Sequence, residues 1–315
     1  MPRKKFIHVS VGNFNLDVAV YLEVPVSMLS GLESIFAKYV ELRPGGAATN
    51  YAVAAATYGH ASYLVATISK SQVLEPLLNQ VRSRGVNLDY VKYVDEDPGI
   101  ALLLITPSGE KVTIRYPGAN KYLVPQDVRE ELLEKAHVLH LASVNPDYVA
   151  SIAEKAKKKQ VVVTYDPGPY ASMLVNYPEL IKHLDVLFVN ESEYSEVRKR
   201  VGLKDIFGKG LKLLAVKMGS KGALVVEGSN MCYYGTTTPV KKPVDTTGAG
   251  DAFDAFFNAT YIETLDVAEA LRHAIAAGTL KAGCKGSFIC WDSEVYSYQL
   301  RRTEVTIKAC SETVI

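Results

Sequence analysis

The stretch Val186-Leu-Phe-Val-Asn-Glu-Ser-Glu193 shows the pattern that decides the fold: a short apolar run leads directly into polar residues that begin a helix. From residue 44 onward most of the chain alternates in this way between β-branched runs and helical periodicity. Further examples of such runs are Ser62 to Thr67, Val161 to Tyr165 and Leu213 to Lys217. This alternation is typical of a parallel sheet covered by helices. We therefore expect a doubly wound α/β core, in which ligands bind beyond the carboxyl ends of the strands.

Two stretches, residues 14–43 and 98–117, break the alternation. The second of them predicts a β-hairpin, because two apolar runs flank a Pro107-Ser-Gly-Glu110 turn. We expect both stretches to form a small separate sheet that acts as a lid and excludes water from the active site. The alternative is that they extend the main sheet. The remaining core would comprise residues 1–13, 44–97 and 118–315.

The composition argues against several classes of protein. The 315 residues include 35 Lys and Arg against 34 Asp and Glu, a net charge of +1, whereas binders of nucleic acid or anionic membranes need a basic excess. The longest apolar-leaning stretch, Tyr51 to Ile68, is interrupted by polar residues and falls short of the roughly 20 residues that span a bilayer. The four cysteines show no C-x-x-C spacing, which argues against a disulfide framework or a zinc site. We expect a cytoplasmic protein with no nucleic-acid or membrane partner.

The stretch from Pro243 to Phe253, Pro-Val-Asp-Thr-Thr-Gly-Ala-Gly-Asp-Ala-Phe, is the most informative about chemistry. Apolar residues recur at helical spacing from Phe253 onward, so the glycines lie where a loop enters a buried helix. Unpaired amides at such a helix start can bind phosphate oxygens. The acid that follows the glycines, Asp251, can either cap the helix or act as a general base on a hydroxyl that attacks phosphorus.

Five ordered motifs resemble those of the ribokinase-like (PfkB) carbohydrate and nucleoside kinases. Asp245-Thr-Thr-Gly-Ala-Gly-Asp251 matches the C-terminal signature of that family at every position. The other four motifs are Gly12-Asn-Phe-Asn-Leu-Asp17, Gly45-Gly-Ala-Ala-Thr-Asn50, Asn190-Glu-Ser-Glu193 and Lys217-Met-Gly-Ser-Lys-Gly-Ala223. The resemblance spans residues 6–290. It implies a three-layer α/β/α core with a mainly parallel sheet and a small β-sheet lid.

The resemblance also implies roles on the phosphate side of the site. Asp251 corresponds to the catalytic base of the family. The amides that would stabilise the transferred γ-phosphoryl group are those of Gly248, Ala249 and Gly250. Asn190 and Glu193 would orient Mg²⁺ and its waters beside the phosphates, with Glu193 contacting the metal through water. By spacing alone, the same two residues are also a helix capping box.

Further residues are implied to contact ATP or a cation. Lys217, Gly219 and Gly222 belong to the segment that lies along ATP in the family, where Gly248 and Gly250 would also contact the nucleotide. Asp245 and Thr247 correspond to a loop that binds a monovalent cation such as K⁺ in part of the family. Because backbone carbonyls provide much of that binding, the residue types leave K⁺ dependence open.

The amino-terminal motifs are expected to hold the phosphoryl acceptor. Gly45 and Gly46 allow backbone amides to approach a ligand, while Asp17 and Asn50 supply the acceptors and donors that vicinal hydroxyl groups need. This pattern suits a polyol or a ribose. Arg115, on the predicted lid hairpin, could reach a carboxylate or phosphate of the substrate, or be simply solvated.

Departures from individual family members leave the identity of the substrate open. Ribokinases usually read Gly-Gly-Lys-Gly-Ala-Asn where this chain has Gly45-Gly-Ala-Ala-Thr-Asn50. Keto-deoxy-gluconate kinases usually carry an arginine where this chain has Tyr165-Asp-Pro-Gly-Pro-Tyr170. Phe14, Tyr21 and Phe36 could stack on a nucleobase or pack within their strands.

We therefore predict an ATP- and Mg²⁺-dependent kinase that phosphorylates a primary hydroxyl of a sugar or related polyol, with Asp251 as the base. The alternative is a nucleoside kinase that uses the same groups on the ribose 5′-hydroxyl. A non-catalytic ligand sensor with this fold would be expected to lose the base, and a nicotinamide-dependent dehydrogenase lacks its G-x-G-x-x-G fingerprint here. Exposed strand edges of the lid predict pairing with a second subunit into a homodimer.

Overall fold

The computed structural model describes residues 6–30, 33–107, 111–176, 178–199, 203–228 and 230–310. Sixteen strands lie within these residues: β1 (Ile7–Gly12), β2 (Asn15–Tyr21), β3 (Tyr39–Gly45), β4 (Ala61–Val65), β5 (Thr67–Ser69), β6 (Val86–Asn87), β7 (Lys92–Val94), β8 (Gly99–Ile105), β9 (Lys111–Tyr116), β10 (Val138–Ala142), β11 (Val162–Asp166), β12 (Val186–Asn190), β13 (Leu213–Lys217), β14 (Ala223–Glu227), β15 (Met231–Thr237) and β16 (Thr303–Ala309). The α-helices in the same part of the chain are α1 (Ala47–Tyr58), α2 (Glu75–Ser83), α3 (Glu130–Lys135), α4 (Pro146–Lys158), α5 (Pro178–Ile181), α6 (Glu191–Arg198), α7 (Leu203–Gly208), α8 (Ala249–Thr264), α9 (Val267–Ala282) and α10 (Ser293–Arg301).

The main sheet has ten strands within the described residues, in the order β16-β15-β14-β13-β12-β11-β10-β1-β4-β6. Neighbouring strands from β13 to β6 run parallel, and β14, β15 and β16 extend the sheet by antiparallel pairing. All five residues of β10 are buried, because helices cover both faces of the central strands and only near-continuous apolar runs suit such positions. The predicted doubly wound α/β core is confirmed.

The cysteines correct one expectation. Cys232 on β15 is bonded to Cys310, which directly follows β16, and Cys284 is bonded to Cys290. The expectation from the cysteine spacing, which argued against a disulfide framework, is therefore wrong. The first pair is 78 positions apart and meets only because β15 and β16 are neighbours, which the spacing of cysteines cannot reveal. The cysteine spacing was one reason to expect a location in the reducing cytoplasm. Because the cysteines are paired, that reason no longer holds, and the cytoplasmic location stays a prediction.

A second sheet of four strands, in the order β3-β2-β8-β9, is built from the two stretches that interrupt the alternation. The predicted separate small sheet is therefore confirmed, while residues 108–110 of the predicted hairpin turn lie outside the described residues. In its register, Arg43, Asp17, Ala101 and Arg115 lie side by side, so their side chains share one face of the sheet. Asp17 is buried on this inner face. The opposite, outer face has exposed apolar side chains, namely Val40, Leu42, Val112 and Ile114.

Helix α8 begins at the glycine loop and packs its aromatic residues in two directions. Phe253 and Phe257 meet Phe188 of β12 edge to face, with ring centroids 6.4 and 5.6 Å apart, while Phe256 belongs to a buried cluster with Tyr51 of α1. This packing brings the start of α8 to the start of α1. Among the described residues, no helix is both long and apolar enough to cross a bilayer.

Candidate active site

The glycine loop forms the start of α8, as predicted. Gly248 is the residue before the first helical turn and has φ 79°, and a side chain there would collide with the carbonyl of Ser287. The amide of Ala249 donates to the Thr246 carbonyl at 3.1 Å and is thus already used. The amides of Gly248 and Gly250 have no acceptor among the described residues, so these two are the donors open to an anion.

Asp251 lies in the first turn of α8 and faces α1. Its Oδ2 accepts a hydrogen bond of 2.7 Å from Nδ2 of Asn50, so the two motifs, 201 positions apart in the sequence, meet at one point. Burial raises the pKa of Asp251 to about 6, although the bond from Asn50 opposes this rise. A carboxyl group with a pKa near neutrality is suited to accept a proton from a substrate hydroxyl.

Asp17 approaches the same point from the small sheet. Its carboxyl packs so tightly on Gly45 that an added Cβ at Gly45 would overlap it, which explains the glycine at that position. Burial raises the pKa of Asp17 to about 7, against the opposing charge of Arg43. Oδ1 of Asp17 and Oδ1 of Asn50 are both buried without a hydrogen-bond partner in the described part of the chain. Two such acceptors call for donors from a ligand, because an unsatisfied buried polar atom is costly.

The other residues expected to bind the phosphoryl acceptor lie in different places. Gly46 precedes the first turn of α1 with φ 100°. Arg115 is exposed, but it lies on the same face of the small sheet as Asp17, separated by Ala101. Arg43 is a site residue that the motifs did not indicate. It is 9% exposed, and only its position opposite Asp17 in a paired strand places it at the site.

Lys217 is held by two carboxyl groups that the sequence pattern did not reveal. Its Nζ lies 2.6 Å from Oδ2 of Asp166 and 3.0 Å from Oδ2 of Asp254. Burial would lower the pKa of Lys217, but the two carboxylates outweigh it and hold that pKa well above its ordinary value. Burial raises the pKa of Asp254 well above its usual range. Although burial has the same tendency at Asp166, the charge of Lys217 keeps the pKa of Asp166 below its usual value.

This cluster adjoins the glycine loop, since an added Cβ on Gly250 would lie 3.4 Å from Nζ of Lys217. Helical spacing in the sequence could have indicated one member of the cluster, Asp254. Asp254 follows Asp251 by three residues and therefore lies on a neighbouring part of the same helix face. Asp166 had no comparable signal beyond its position at the carboxyl end of a strand.

Asn190 and Glu193 form the capping box that their spacing allows. Oδ1 of Asn190 accepts from the Glu193 amide, and Oε2 of Glu193 accepts from the Asn190 amide, each at 2.9 Å. Asn190 is opposite Lys217 in the parallel strands β12 and β13, so the box lies beside the Lys217 cluster. Burial raises the pKa of Glu193.

A cavity of about 280 Å³ opens next to the glycine loop. Its lining includes Gly219 and Gly222 of the predicted ATP segment, together with Lys217 and Gly250. Apolar side chains close the other side, among them Pro243, Phe253 and Ile275. The cavity therefore combines an apolar wall, suited to a flat heterocycle, with amide donors at one end.

Asp245 and Thr247 lie in the loop before α8 and contact three cationic side chains. Nη1 of Arg43 is 3.0 Å from Oδ2 of Asp245, and Nζ of Lys111 donates to Oγ1 of Thr247 at 3.1 Å. Lys281 donates to the Asp245 carbonyl at 3.2 Å. Burial lowers the pKa of Lys281 to about 8, against the opposing charge of Asp245.

Comparison with known proteins agrees with this geometry. The model of the pfkB family carbohydrate kinases matches residues 9–294. The ATP-dependent ribose-1-phosphate kinase of Halopiger xanaduensis is 32% identical over 250 residues, which cover 77% of this chain and 81% of that protein. The ribokinase of Arabidopsis thaliana is 31% identical over 298 residues, which cover 89% and 76% of the two chains. The structure of Arabidopsis thaliana ribokinase complexed with ribose and ATP has a TM-score of 0.77 and 27% identity, covering 94% of this chain and 99% of that one. Because the family match extends over nearly the whole chain, this protein belongs to the pfkB family of carbohydrate kinases.

Proposed function

We propose that this kinase transfers the γ-phosphoryl group of ATP to a primary hydroxyl of a sugar or a closely related polyol. The observation that carries the proposal is the pair of unsatisfied acceptors, Oδ1 of Asp17 and Oδ1 of Asn50, beside the carboxyl of Asp251. Vicinal hydroxyl groups supply the missing donors. A further hydroxyl of the same molecule can then face Asp251.

In the proposed reaction, Asp251 accepts the proton of the primary hydroxyl as its oxygen attacks the γ-phosphorus. The bond between that phosphorus and the bridging oxygen of ADP breaks, and ADP leaves with the bonding electrons. Amides of Gly248 and Gly250 donate to the phosphoryl oxygens as charge develops on them. Ala249 contributes by shaping the turn, since its own amide is bonded to Thr246.

The cavity beside the loop is the proposed site of ATP. Its apolar wall would contact the adenine, and Gly219 and Gly222 would let the chain approach the nucleotide closely. Lys217, already neutralised by its two carboxylates, would orient the phosphate end of the site more than it would add net charge. The Halopiger kinase is ATP-dependent by name, and the Arabidopsis ribokinase structure is a complex with ATP.

Mg²⁺ is proposed as the metal that neutralises the ATP phosphates. Among the described residues no group of three or more His, Cys, Asp or Glu side chains is placed to hold a metal ion. Oε2 of Glu193 is bonded to the Asn190 amide, while its Oε1 has no partner among the described residues. This arrangement fits Mg²⁺, which keeps several waters and is bound mainly by phosphates and one or two carboxylates.

The small sheet is proposed to act as a lid on the core of residues 1–13, 44–97 and 118–315. Its inner face carries Asp17 and, in the same row, Arg115, which would contact a charged or polar end of the acceptor. Its outer face exposes apolar side chains such as Leu42 and Ile114. An exposed apolar face of this kind marks an interaction surface, and we propose that it pairs with a second copy of the chain.

Phosphorylation assays with Asp251→Asn test the mechanism. Loss of the general base should lower kcat by roughly 10² to 10⁴. A matched control is Asp266→Asn, because Asp266 caps the adjoining helix α9, which has the same length of 16 residues as α8. If Asp251 is only a capping acid, both variants will keep near-normal turnover, and the mechanism will be refuted.

A substrate panel with ATP decides between the acceptor classes. It should contain free pentoses and hexoses, ribose 1-phosphate and nucleosides. Of the three aromatic residues that could stack on a nucleobase, Phe14 packs in the core and Tyr21 already stacks on Tyr39. This leaves Phe36, which is exposed, and we expect sugars to be preferred. Exclusive turnover of nucleosides would establish the alternative kinase.

A further inference from the structure

Lys281, near the end of α9, lies beneath the loop that precedes α8. It has no exposed surface. Its Nζ donates to the carbonyl oxygens of Asp245 at 3.2 Å and Cys284 at 3.4 Å. A buried ammonium group is stable only where oxygen acceptors surround it. Here one acceptor is the Asp245 carbonyl of the loop expected to bind a monovalent cation, and the other lies in the segment that follows α9.

The side-chain acceptors of Asp245 and Thr247 in that loop are already used. Oδ1 of Asp245 accepts from the Thr247 amide at 2.9 Å, and Oδ2 accepts from Arg43 at 3.0 Å and from the Gly286 amide at 3.1 Å. Oγ1 of Thr247 accepts from Lys111 at 3.1 Å. Asp245 therefore has each of its three acceptor oxygens engaged by a donor of the chain itself.

These contacts do not fit a bound K⁺ ion. A cation at the loop would compete with the hydrogen bonds to the Asp245 oxygens, and it would lie among the positive charges of Lys281, Arg43 and Lys111. Like charges at such short distances in a buried site repel strongly. The donors present thus neutralise the loop without an external ion.

We propose that the ammonium group of Lys281 serves as a built-in cation of this loop, so that the enzyme needs no monovalent metal ion. Lys281 is a positioning residue: it holds the Asp245 carbonyl, while the amides of Val244 and Asp245 donate to the Ala282 carbonyl at 2.7 and 3.1 Å. The loop so fixed leads directly into the glycine amides of α8. The bond between Cys284 and Cys290 closes the adjoining segment and holds the second carbonyl in place.

The first test uses the wild-type enzyme, and its activity readout rests on the proposed kinase function. Turnover of the preferred sugar is measured near pH 7, with KCl replaced by tetramethylammonium chloride at equal ionic strength. We expect kcat/KM to change by less than about twofold, which is about 0.4 kcal/mol. A loss of tenfold or more without K⁺ overturns the proposal.

The second test uses Lys281→Met, with Lys285→Met as the matched control because Lys285 lies in the same segment but is half exposed. Removal of one charged donor should lower kcat/KM by about tenfold to a hundredfold in tetramethylammonium chloride. KCl should restore much of this loss in Lys281→Met and have no effect on the control. A loss that no small cation restores would identify Lys281 as merely structural and overturn the proposal.

Melting temperatures provide a readout that does not depend on activity. KCl should raise the melting temperature of Lys281→Met by about 2 to 4 °C relative to tetramethylammonium chloride, because only the vacated position binds the ion. The wild type should shift by less than about 1 °C. If no sugar is phosphorylated, the proposed function fails while this measurement still decides the role of Lys281: equal shifts of both proteins overturn it.

Discussion

The hydrogen bond between Asn50 and Asp251 offers a test of Asp251 as the proposed general base. Burial raises the pKa of Asp251 to about 6, and the 2.7 Å bond from Asn50 limits that rise. Asn50→Leu removes the donor, keeps the shape of the side chain and excludes water. A hydrogen bond to a charged group is worth about 1.5 to 3 kcal/mol, and one pKa unit corresponds to about 1.4 kcal/mol. The pKa of Asp251 should therefore rise by about one to two units.

The assay is the pH dependence of kcat/KM, which reports the groups of the free enzyme. Only the deprotonated carboxylate can accept a proton. The kcat/KM of the wild type should therefore fall as the pH decreases, with a midpoint at pH about 6. In Asn50→Leu this midpoint should move to about 7 to 8. Titration of the nucleotide is common to both proteins, so the difference between the two midpoints is the informative quantity.

Thr49→Val provides the matched control. Thr49 is the neighbour of Asn50 on α1, is equally buried, and donates to the Asn13 carbonyl instead of Asp251. Its acid midpoint should coincide with that of the wild type. An Asn50→Leu profile that also coincides with the wild type, whatever its height, would refute the assignment of Asp251 as the group whose ionisation controls the rate.

Three further outcomes follow from the same structure. The pKa of the Asp17 carboxyl rises from 3.8 to about 7 on folding, so the stability that this group contributes is lost as pH increases through that range. Without substrate, Asp17→Asn should therefore raise the free energy of unfolding near pH 8 by about 4 kcal/mol but have little effect near pH 4. Urea unfolding at both pH values checks this, and equal effects would contradict it. Replacing Cys232 and Cys310 together by Ser should lower the free energy of unfolding by about 4 kcal/mol, since the bond closes a loop of 78 residues; an unchanged urea midpoint would exclude that contribution. Ile114→Glu places a charge on the exposed outer face of the small sheet and should convert the proposed dimer to monomers, as measured by light scattering. A dimer that persists would place the interface elsewhere.

The fold could be predicted from the chain because its central strands carry a strong local signal. Apolar runs such as Val161 to Tyr165 must be buried on both faces, and the helical periodicity after each run leaves few arrangements other than a doubly wound sheet. The small sheet was likewise visible as an interruption of that alternation. The pairing of Cys232 with Cys310 was not, because it depends on which strands become neighbours at the antiparallel end of the sheet.

The site was predictable only where its residues stand in ordered motifs. Asp251, Asn50 and Asp17 belong to such motifs, and the structure brings them together. The partners of Lys217 come from two other segments and have no spacing relation to it. Buried ion pairs of this kind arise from three-dimensional packing, so a charge in the sequence looks the same whether it is solvated or enclosed. Lys281 illustrates this, since by sequence it is an ordinary cation in the last turn of a helix.

A row of side chains crosses the small sheet from Arg43 through Asp17 to Arg115. Because this row and the glycine loop come from different segments of the chain, acceptor binding and phosphoryl transfer can change separately in evolution. In the proposed mechanism, several residues that contact the acceptor lie in the inserted segments 14–43 and 98–117, whereas the amides proposed to bind the phosphoryl group lie in the loop that leads into α8. Apart from Arg43, which contacts Asp245, we expect substitutions in the two inserted segments to change which acceptor is bound while leaving in place the residues proposed to move the proton and the phosphoryl group. A library confined to the inward-facing positions of these four strands would explore new acceptors while every member keeps the same catalytic loop.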